Sequence, residues 1–308
     1  MKHSLKIVLI LLLMFFVTQL IGIALANVYA SHGDNIPFGM SPPKDVSPTT
    51  SLFSILFAIV FAVLLMFILM RFKTESFLRI WFFLVVALAI GITLNALFIY
   101  ILPPLSLNLL SFSFPLSSLA SILISAPLGF LKIYRRNIII HNFTELLIYP
   151  GIAVIFIPLL NLLTVIILLV LISIYDMYAV WHAGFMQKMA KYQINNLKVF
   201  SGFFVPYLGK KELAMIKSLS KSNKADLKNK KIKVNIAILG GGDVVFPIIA
   251  SGVVLRSMGL ASALVVTFGA LAGLLFLFYI SKKGKFYPAM PFISAGLFLG
   301  IALAYLFL

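Results

Sequence analysis

The sequence predicts an all-α polytopic membrane protein with nine transmembrane helices, its N-terminus in the cytoplasm and its C-terminus outside. Three observations predict this class. Of the 308 residues, 62% are hydrophobic and only 11% are charged, whereas about a quarter of the residues of soluble domains are charged. Apolar runs of about 20 residues, the length that crosses a bilayer, recur along the chain. Basic residues concentrate in alternate connections between these runs, as is typical of membrane topology.

Polar or proline-rich breaks separate nine apolar runs. The predicted helices span residues 5–26, 51–70, 79–101, 105–131, 144–158, 160–183, 234–256, 260–280 and 287–308. Pro115, Pro127 and Pro150 interrupt the fourth and fifth runs, because proline removes a helical hydrogen bond. The first run has the flanking residues of a signal peptide, but its apolar core exceeds the about 15 residues expected there. We interpret it as a retained helix, with cleavage as the alternative.

The distribution of basic residues orients the chain. With the N-terminus inside, the cytoplasmic segments hold every Lys and Arg except Lys44 and Arg256, as the positive-inside rule requires. The net charge of +17 therefore follows from topology. We expect no nucleic-acid partner, because the basic tract at residues 221–233 lacks aromatic residues that stack on bases. The sequence predicts a multi-pass protein of the cell membrane, in contact with the lipid bilayer.

The predicted helices form two groups around one long loop. Helices 1–6 occupy residues 1–183, a basic cytoplasmic loop occupies residues 184–233, and helices 7–9 occupy residues 234–308. The first part of the loop mixes Phe, Met and Leu with Lys. This composition fits either an amphipathic element on the membrane surface or an ordinary loop near lipid.

The composition excludes several kinds of chemistry. The chain contains no cysteine, so a disulfide framework, a catalytic thiolate and a cysteine-ligated zinc site are all excluded. Its four histidines occur without an HExxH or comparable pairing, which argues against a zinc protease. We expect neither a metal nor another cofactor.

Two of the eight acidic residues, Asp176 and Asp243, lie inside predicted spans. A charge near the bilayer centre costs about 2.5 to 3.5 kcal/mol, so an acid there is a candidate functional residue. Glu145 has a simpler interpretation. Its spacing from Asn142 matches a helix N-cap with a glutamate at N3, which is a structural role.

The two intramembrane aspartates are predicted to lie at the same depth. Asp176 is about 12 Å, and Asp243 about 13 Å, from the cytoplasmic ends of consecutive antiparallel spans, at about 1.5 Å per residue. Two carboxyls facing each other in a poorly solvated place cannot both ionise cheaply, so the pair would share a proton. Such a pair can activate water for amide hydrolysis without a covalent intermediate. A proton relay or an ion-coupled transporter would use the same pair.

Two further motifs favour access for a peptide. Gly240, Gly241 and Gly242 remove every side chain from the turn before Asp243, so another backbone can approach. Helix packing is the alternative use of such glycines. The ninth span starts with the sequence KFYPAMPF, in which Pro288 and Pro291 have no amide hydrogen to donate. The irregular backbone that results could pair with an extended substrate. An ordinary proline-led helix start is the alternative.

In this order and on these spans, the motifs resemble those of the presenilin and signal peptide peptidase family of intramembrane aspartyl proteases. The matching residues are Tyr175 and Asp176 (YD), Gly240, Gly241, Gly242 and Asp243 (GxGD), and Pro288, Ala289 and Met290 (PAL, with Met in place of Leu). The resemblance implies that Asp176 and Asp243 are the catalytic pair. It also implies that the PAL-like residues shape the substrate site, and we place Tyr175 and the three glycines among the substrate-positioning candidates.

The predicted orientation matches the presenilin branch of this family, which implies transmembrane substrates with their N-termini outside. The chain resembles a compact, single-chain homologue of the archaeal type, for which the sequence assigns neither accessory subunits nor an oligomeric state. One alternative is a prepilin-peptidase-like GxGD protease. The other is an ion-coupled transporter, which would need polar residues along a path through the bilayer. Gln19, Thr93 and Asn95 are the candidates, and each is more typical of a helix–helix hydrogen bond.

Overall fold

A computed structural model of the chain describes residues 5–43, 46–71, 75–109, 112–135, 137–183, 201–207, 235–281 and 287–308. The described residues are mostly helical, and they include eight helices long and apolar enough to cross a membrane. These are α1 (Leu5–Ser31), α2 (Pro48–Arg71), α3 (Glu75–Ile101), α4 (Leu116–Tyr134), α5 (Ile138–Phe156), α6 (Leu162–Tyr178), α7 (Gly242–Ile280) and α8 (Met290–Phe307). Two antiparallel strand pairs accompany them, β1 (Ser106–Leu109) with β2 (Phe112–Pro115), and β3 (Gly202–Tyr207) with β4 (Asn235–Gly240).

Helix α7 reverses direction at Gly259. This residue has φ 86° and ψ 179°, a conformation essentially restricted to glycine. Thr267 donates a hydrogen bond of 3.0 Å to the hydroxyl oxygen of Ser251, although a straight helix would separate residues so spaced by about 24 Å. The two halves of α7 therefore lie side by side as antiparallel helices.

Small residues allow the helices around α7 to approach closely. A Cβ atom on Gly296 of α8 would collide with the carbonyl oxygen of Gly269 in the second half of α7. In the first half of α7, a Cβ atom on Gly252 would collide with Ile157. A Cβ atom on Gly22 of α1 would collide with Ile248, which also lies in this half of α7. Membrane helices gain van der Waals contact through such small residues. The first half of α7 is thereby surrounded by other helices, with Ile248 and Val254 fully buried.

The three polar residues considered for a transport path hold helices together, as the sequence predicts. Gln19 of α1 donates to the carbonyl oxygen of Val244 in α7 at 3.0 Å, and Thr93 of α3 donates to that of Leu147 in α5 at 2.6 Å. Asn95 of α3 donates to the hydroxyls at the start of α4. Each side chain is thus committed to a contact between two helices.

An ion pair ties the segment after α1 to the reversal of α7. Arg256 donates two hydrogen bonds, of 2.7 and 2.8 Å, to the two carboxylate oxygens of Asp34. Arg256 is one of the two basic residues that the orientation rule leaves outside the cytoplasmic segments. A paired carboxylate accounts for its position there.

The fourth predicted helix begins later than the sequence predicts. Residues 105–131 were expected to be helical, but β1 and β2 form a hairpin and α4 begins only at Leu116. Pro103 and Pro104 precede the hairpin and Pro115 ends it, and none of them can donate the hydrogen bond that a helix interior needs. Pro127 and Pro150, by contrast, lie within continuous helices.

The fifth helix corrects the interpretation of Glu145. Helix α5 begins at Ile138, not near residue 144, and its N-cap is Asn137, whose side chain accepts from the amides of Ile139 and Ile140. Glu145 is therefore two turns inside the helix, where it cannot occupy N3. The Asn142 to Glu145 spacing matches a capping box by coincidence, because the same spacing also places two side chains on one helix face.

The seventh predicted span, residues 234–256, begins as a strand. Asn235–Gly240 is β4, paired with Gly202–Tyr207 from the predicted loop in a register that joins Gly202 to Gly240 and Val205 to Ala237. In β4, Ala237 and Leu239 are buried while Ile236 and Ile238 are exposed, which is the period-2 alternation of a strand. The loop is accordingly more than a connection, since residues 201–207 of it belong to the folded core. Residues 184–200 and 208–234, which include most of the suggested amphipathic element, lie outside the described residues.

Candidate active site

Asp243 lies at the junction of β4 and α7. The strand ends at Gly240, Gly241 is the N-cap of α7, and Asp243 is the second residue of the helix. The predicted depth of about 13 Å assumed a helix from residue 234, and this assumption is wrong, because Asn235–Gly240 is a strand and the helix begins only at Gly242. The side chain of Asp243 is partly buried, and its carboxyl hydrogen-bonds the backbone of Gly240.

Asp176 lies in the last turn of α6 and is 8% exposed. Its Oδ2 accepts a hydrogen bond of 3.0 Å from the backbone amide of Met290, the first residue of α8. The carboxyl also hydrogen-bonds the backbone of Ala289. These two backbone contacts fix the orientation of the Asp176 carboxyl at the start of α8.

The structure brings the two aspartates together. Their carboxyls interact electrostatically across the gap between the end of α6 and the start of α7. A hydrogen bond of 2.9 Å from Ser173 of α6 to Ser294 of α8 holds the third helix of the site in place. Asp176 and Asp243 therefore form one site at one end of the helix bundle, which we call the aspartate end.

The three glycines of the segment Gly240–Asp243, which we call the GGGD turn, each have a different neighbour. A Cβ atom on Gly240 would lie 3.0 Å from Oδ2 of Asp243, so the missing side chain makes room for this carboxyl. A Cβ atom on Gly241 would lie 2.7 Å from the hydroxyl of Ser201 and 2.9 Å from the ring of Tyr149. Gly242 has only an ordinary contact with Phe246 at 3.7 Å. The close neighbours are side chains, so these glycines serve the placement of Asp243 and local packing.

The remaining candidates are the PAL-like residues before and at the start of α8, and Tyr175 beside Asp176. Pro288 is buried and Ala289 is half-buried, and both directly precede the Met290 amide that contacts Asp176. Residues 287–289 are non-helical, as the sequence predicts for Pro288, but Pro291 lies in the first turn of α8, which begins at Met290. Tyr175 is 39% exposed and lies near the Asp176 carboxyl. Its role in positioning a substrate stays a prediction.

An apolar cavity of about 390 Å³ adjoins the GGGD turn. It lies between α2, α5, α6 and α7, and Gly241 and Gly242 form part of its wall. The apolar side chains that line it are Ile55, Ala58, Ile59, Ala62, Ile152, Phe156, Leu168, Val245, Phe246 and Ile249. A cavity of this size and lining can accept apolar side chains.

Sequence reasoning missed three residues of this region. Tyr149 is fully buried, lines the cavity and packs against Gly241, and its ring meets that of Phe203 edge-on at 5.4 Å. Ser201 also lies against Gly241. Nothing in the sequence connects the loop residues Ser201 and Phe203 with the seventh span. The run from Ile236 to Leu239 is uniformly apolar, so it carries no sequence signal for a strand partner.

The described helices and the paired aspartates define a membrane-spanning protein with a two-carboxylate site, and comparisons with known proteins agree. The family described as signal-peptide peptidase, presenilin aspartyl protease, matches residues 11–308. A solved structure of a presenilin family intramembrane aspartate protease in one crystal form superposes with a TM-score of 0.63 at 20% identity, covering 98% of this chain and 99% of the other. A second crystal form of a protease so described gives a TM-score of 0.60 at 19% identity, covering 97% of each chain. No match was found among curated proteins.

The chain belongs to the signal-peptide peptidase and presenilin family of aspartyl proteases. It is an intramembrane aspartic endopeptidase of a family that acts on membrane-protein substrate helices. The similarity to the two solved structures extends over the whole described fold. Among the described residues, no cluster of His, Asp and Glu could hold a metal ion.

Proposed function

We propose that the chain hydrolyses peptide bonds within single transmembrane segments, with Asp176 and Asp243 as the catalytic pair. The observation that carries this proposal is the shared position of the two carboxyls at the ends of consecutive helices, with one of them bound by the Met290 amide. Acids are costly to bury in a membrane, so their presence there indicates a functional site. Backbone hydrogen bonds orient both carboxyls, which suits proton transfer to and from a substrate.

The proposed mechanism uses one proton shared between the two aspartates. The ionised carboxylate takes a proton from a water molecule as the water oxygen bonds to the carbonyl carbon of the substrate. The protonated carboxyl donates its proton to the carbonyl oxygen, which gives a tetrahedral intermediate. The carbon–nitrogen bond then breaks as the leaving nitrogen takes a proton from one aspartate, and a hydroxyl of the intermediate returns its proton to the other aspartate as the carboxyl of the product forms. The water is consumed, and the aspartates return to one shared proton.

The substrate must leave its helix before this chemistry can occur, and β4 suits this step. It ends three residues before Asp243, and β3 pairs with it along one edge. We propose that an extended substrate segment pairs with the other edge of β4, which would carry its scissile bond to Asp243. Apolar side chains of the substrate would enter the cavity beside Gly242, while Tyr175, Pro288 and Ala289 would bound the site on the α6 and α8 side.

We further propose that the protein lies in the cell membrane, crosses it nine times and has its N-terminus in the cytoplasm. The reversal at Gly259 supports this number, because each half of α7 is long enough to cross a bilayer by itself. The basic residues support the orientation, because the segment 184–233 and the other connections at the aspartate end carry nearly all of them. Substrates of this arrangement would have their N-termini outside.

The test is a cleavage assay with the purified full chain in detergent or in vesicles. The substrate is a single-span reporter protein with its N-terminus outside, and a reporter of the opposite orientation serves as the comparison. We expect the parent to cleave the first reporter, and the Asp176→Asn and Asp243→Asn variants to lose at least a thousandfold in rate. Cleavage that persists in either variant would remove the catalytic pair from the proposal. Equal cleavage of both reporters would contradict the proposed orientation alone.

A further inference from the structure

A buried charged cluster outside the catalytic pair joins α4, α5 and β3. Lys132 Nζ lies 2.5 Å from Oε1 of Glu145, and the two side chains are 4% and 0% exposed. Nε2 of His141 lies 3.4 Å from the same carboxylate oxygen. We call Lys132, His141 and Glu145 the Glu145 cluster. Charges are buried in proteins only when they are paired, so the cluster needs an explanation that the capping interpretation does not give.

The Glu145 cluster binds the first residue of β3 at both of its backbone groups. The amide of Gly202 donates to Oε1 of Glu145 at 3.4 Å, and the carbonyl oxygen of Gly202 lies 2.8 Å from Nε2 of His141. A carbonyl can only accept, so Nε2 is the protonated nitrogen of His141. Its Nδ1 then accepts from Lys132, which lies 3.5 Å away. The cluster is therefore matched, donor to acceptor, with the backbone of this strand.

Asn142 extends the contact along β3. Its amide group accepts from the backbone nitrogen of Phe204 at 2.9 Å and donates to the carbonyl oxygen of Phe204 at 2.7 Å. The ring of His141 also stacks on that of Phe204 at 4.6 Å. Asn142 thus pairs with β3 as a neighbouring strand would. The N-terminal part of α5 holds β3 through polar groups on successive turns.

The position of β3 bears on the position of Asp243 by two routes. Gly202, which the cluster binds, is the register partner of Gly240, whose backbone hydrogen-bonds the Asp243 carboxyl. Tyr149, one turn beyond Glu145 on α5, contacts Phe203 of β3 with its ring and packs against Gly241. A displacement of β3 would therefore move the strand that ends at the GGGD turn.

We propose that Glu145 is a positioning residue, which seats β3 through its ion pair with Lys132 and thereby fixes Asp243 opposite Asp176. The inference rests on the proposed catalytic pair for its effect on cleavage, but the seating of β3 does not depend on it. Loss of the Glu145 charge leaves the ammonium of Lys132 buried without a counter-ion, and this cost is relieved when β3 and its surroundings open to water. Removal of both charges leaves no unpaired ion, so the strand stays seated.

The absence of native cysteine allows a direct test with single-cysteine reporters in the full chain. Val205→Cys places a thiol on β3 where the native side chain is 7% exposed. Ala263→Cys, at a residue that is 0% exposed in the second half of α7, is the matched control for general unfolding. A water-soluble maleimide is the probe, and its reaction rate with each thiol reports local exposure.

We expect Glu145→Gln and Lys132→Met each to raise the labelling rate at position 205 at least tenfold and to leave that at position 263 unchanged. The double variant should label at position 205 within threefold of the parent. An unchanged rate at position 205 in Glu145→Gln, or equal increases at both positions, would overturn the seating of β3 by this ion pair.

Cleavage measurements test the second half of the inference. Glu145→Gln should lower kcat at least tenfold with KM changed less than threefold, and the double variant should recover most of kcat. Recovery of protection at position 205 without recovery of kcat would overturn the link from β3 to Asp243. A parent chain that cleaves no reporter would contradict the proposed function, while the labelling result would still decide the seating of β3.

Discussion

The backbone amide of Met290 lies 3.0 Å from Oδ2 of Asp176. This contact joins the PAL-like segment to the YD motif through the main chain, so it depends on the position of residue 290 and not on its side chain. The methionine that replaces the family's leucine accordingly leaves the contact intact. What the segment must keep is a free amide at this position.

A proline at position 290 removes that amide. Met290→Pro should lower the cleavage rate at least tenfold, because Asp176 loses one of its two backbone donors, while the fold is kept because proline is accepted at the first position of a helix. The control is Met290→Leu, which conserves volume and should lose less than threefold. Rates are compared per amount of folded protein, measured by size-exclusion chromatography. Equal losses in the two variants would show that the side chain matters more than the amide.

The glycines of the GGGD turn should differ in their kinetic effects. Gly240→Ala places a Cβ atom against Oδ2 of Asp243, so it should lower kcat at least tenfold by displacing this carboxyl. The methyl group added by Gly242→Ala makes only an ordinary contact but narrows the cavity that Gly242 lines, so this variant should mainly raise KM. Full kinetics with the reporter substrate separate the two effects. The same kcat and KM changes in both variants would contradict distinct roles for the two positions.

The contact between α7 and α8 should be a main determinant of stability. In Gly296→Ala the new methyl group collides with the carbonyl oxygen of Gly269, and overpacking of this kind costs about 1 to 3 kcal/mol. We expect a lower midpoint of thermal unfolding in detergent. Gly242→Ala, which adds the same methyl group without a collision, should leave the midpoint nearly unchanged and serves as the control. A midpoint unchanged by Gly296→Ala would mean that the two helices are less closely packed.

The reversal at Gly259 predicts which residues face the outside of the cell. A thiol introduced by Leu260→Cys, at a side chain that is 56% exposed, should react with a membrane-impermeant maleimide added to intact cells. One introduced by Lys211→Cys, in the basic segment, should react only after the membrane is opened. The opposite pattern would invert the orientation. Protection of both thiols in intact cells would contradict a crossing on each side of Gly259.

The aspartates could be found from the sequence because acids are rare in apolar runs, so that Asp176 and Asp243 were conspicuous among 308 residues. The strand β4 could not. Its apolar run, Ile236 to Leu239, is short, and such a run is compatible with helix or strand until its partner is known. That partner, β3, comes from a segment that composition alone classifies as loop.

The role of Glu145 was hidden for a related reason. A capping pattern requires only local spacing, and Asn142 with Glu145 satisfies it. The actual partners of Glu145 are Lys132, 13 positions earlier, and Gly202, 57 positions later. Long-range pairs of this kind leave no periodic signal in one sequence. Tyr149 was missed because a tyrosine in an apolar helix is ordinary unless its neighbour Gly241 is known.

The order of the motifs along the chain has a consequence for biosynthesis. Asp176 is synthesised 114 residues before the Met290 amide that binds it, and Asp243 comes between them. During translation both acids are therefore made before the residue that completes the proposed site. We expect the newly made protease to stay inactive toward the helices inserted beside it until α8 has docked, so that its activity begins only after the helical bundle is assembled.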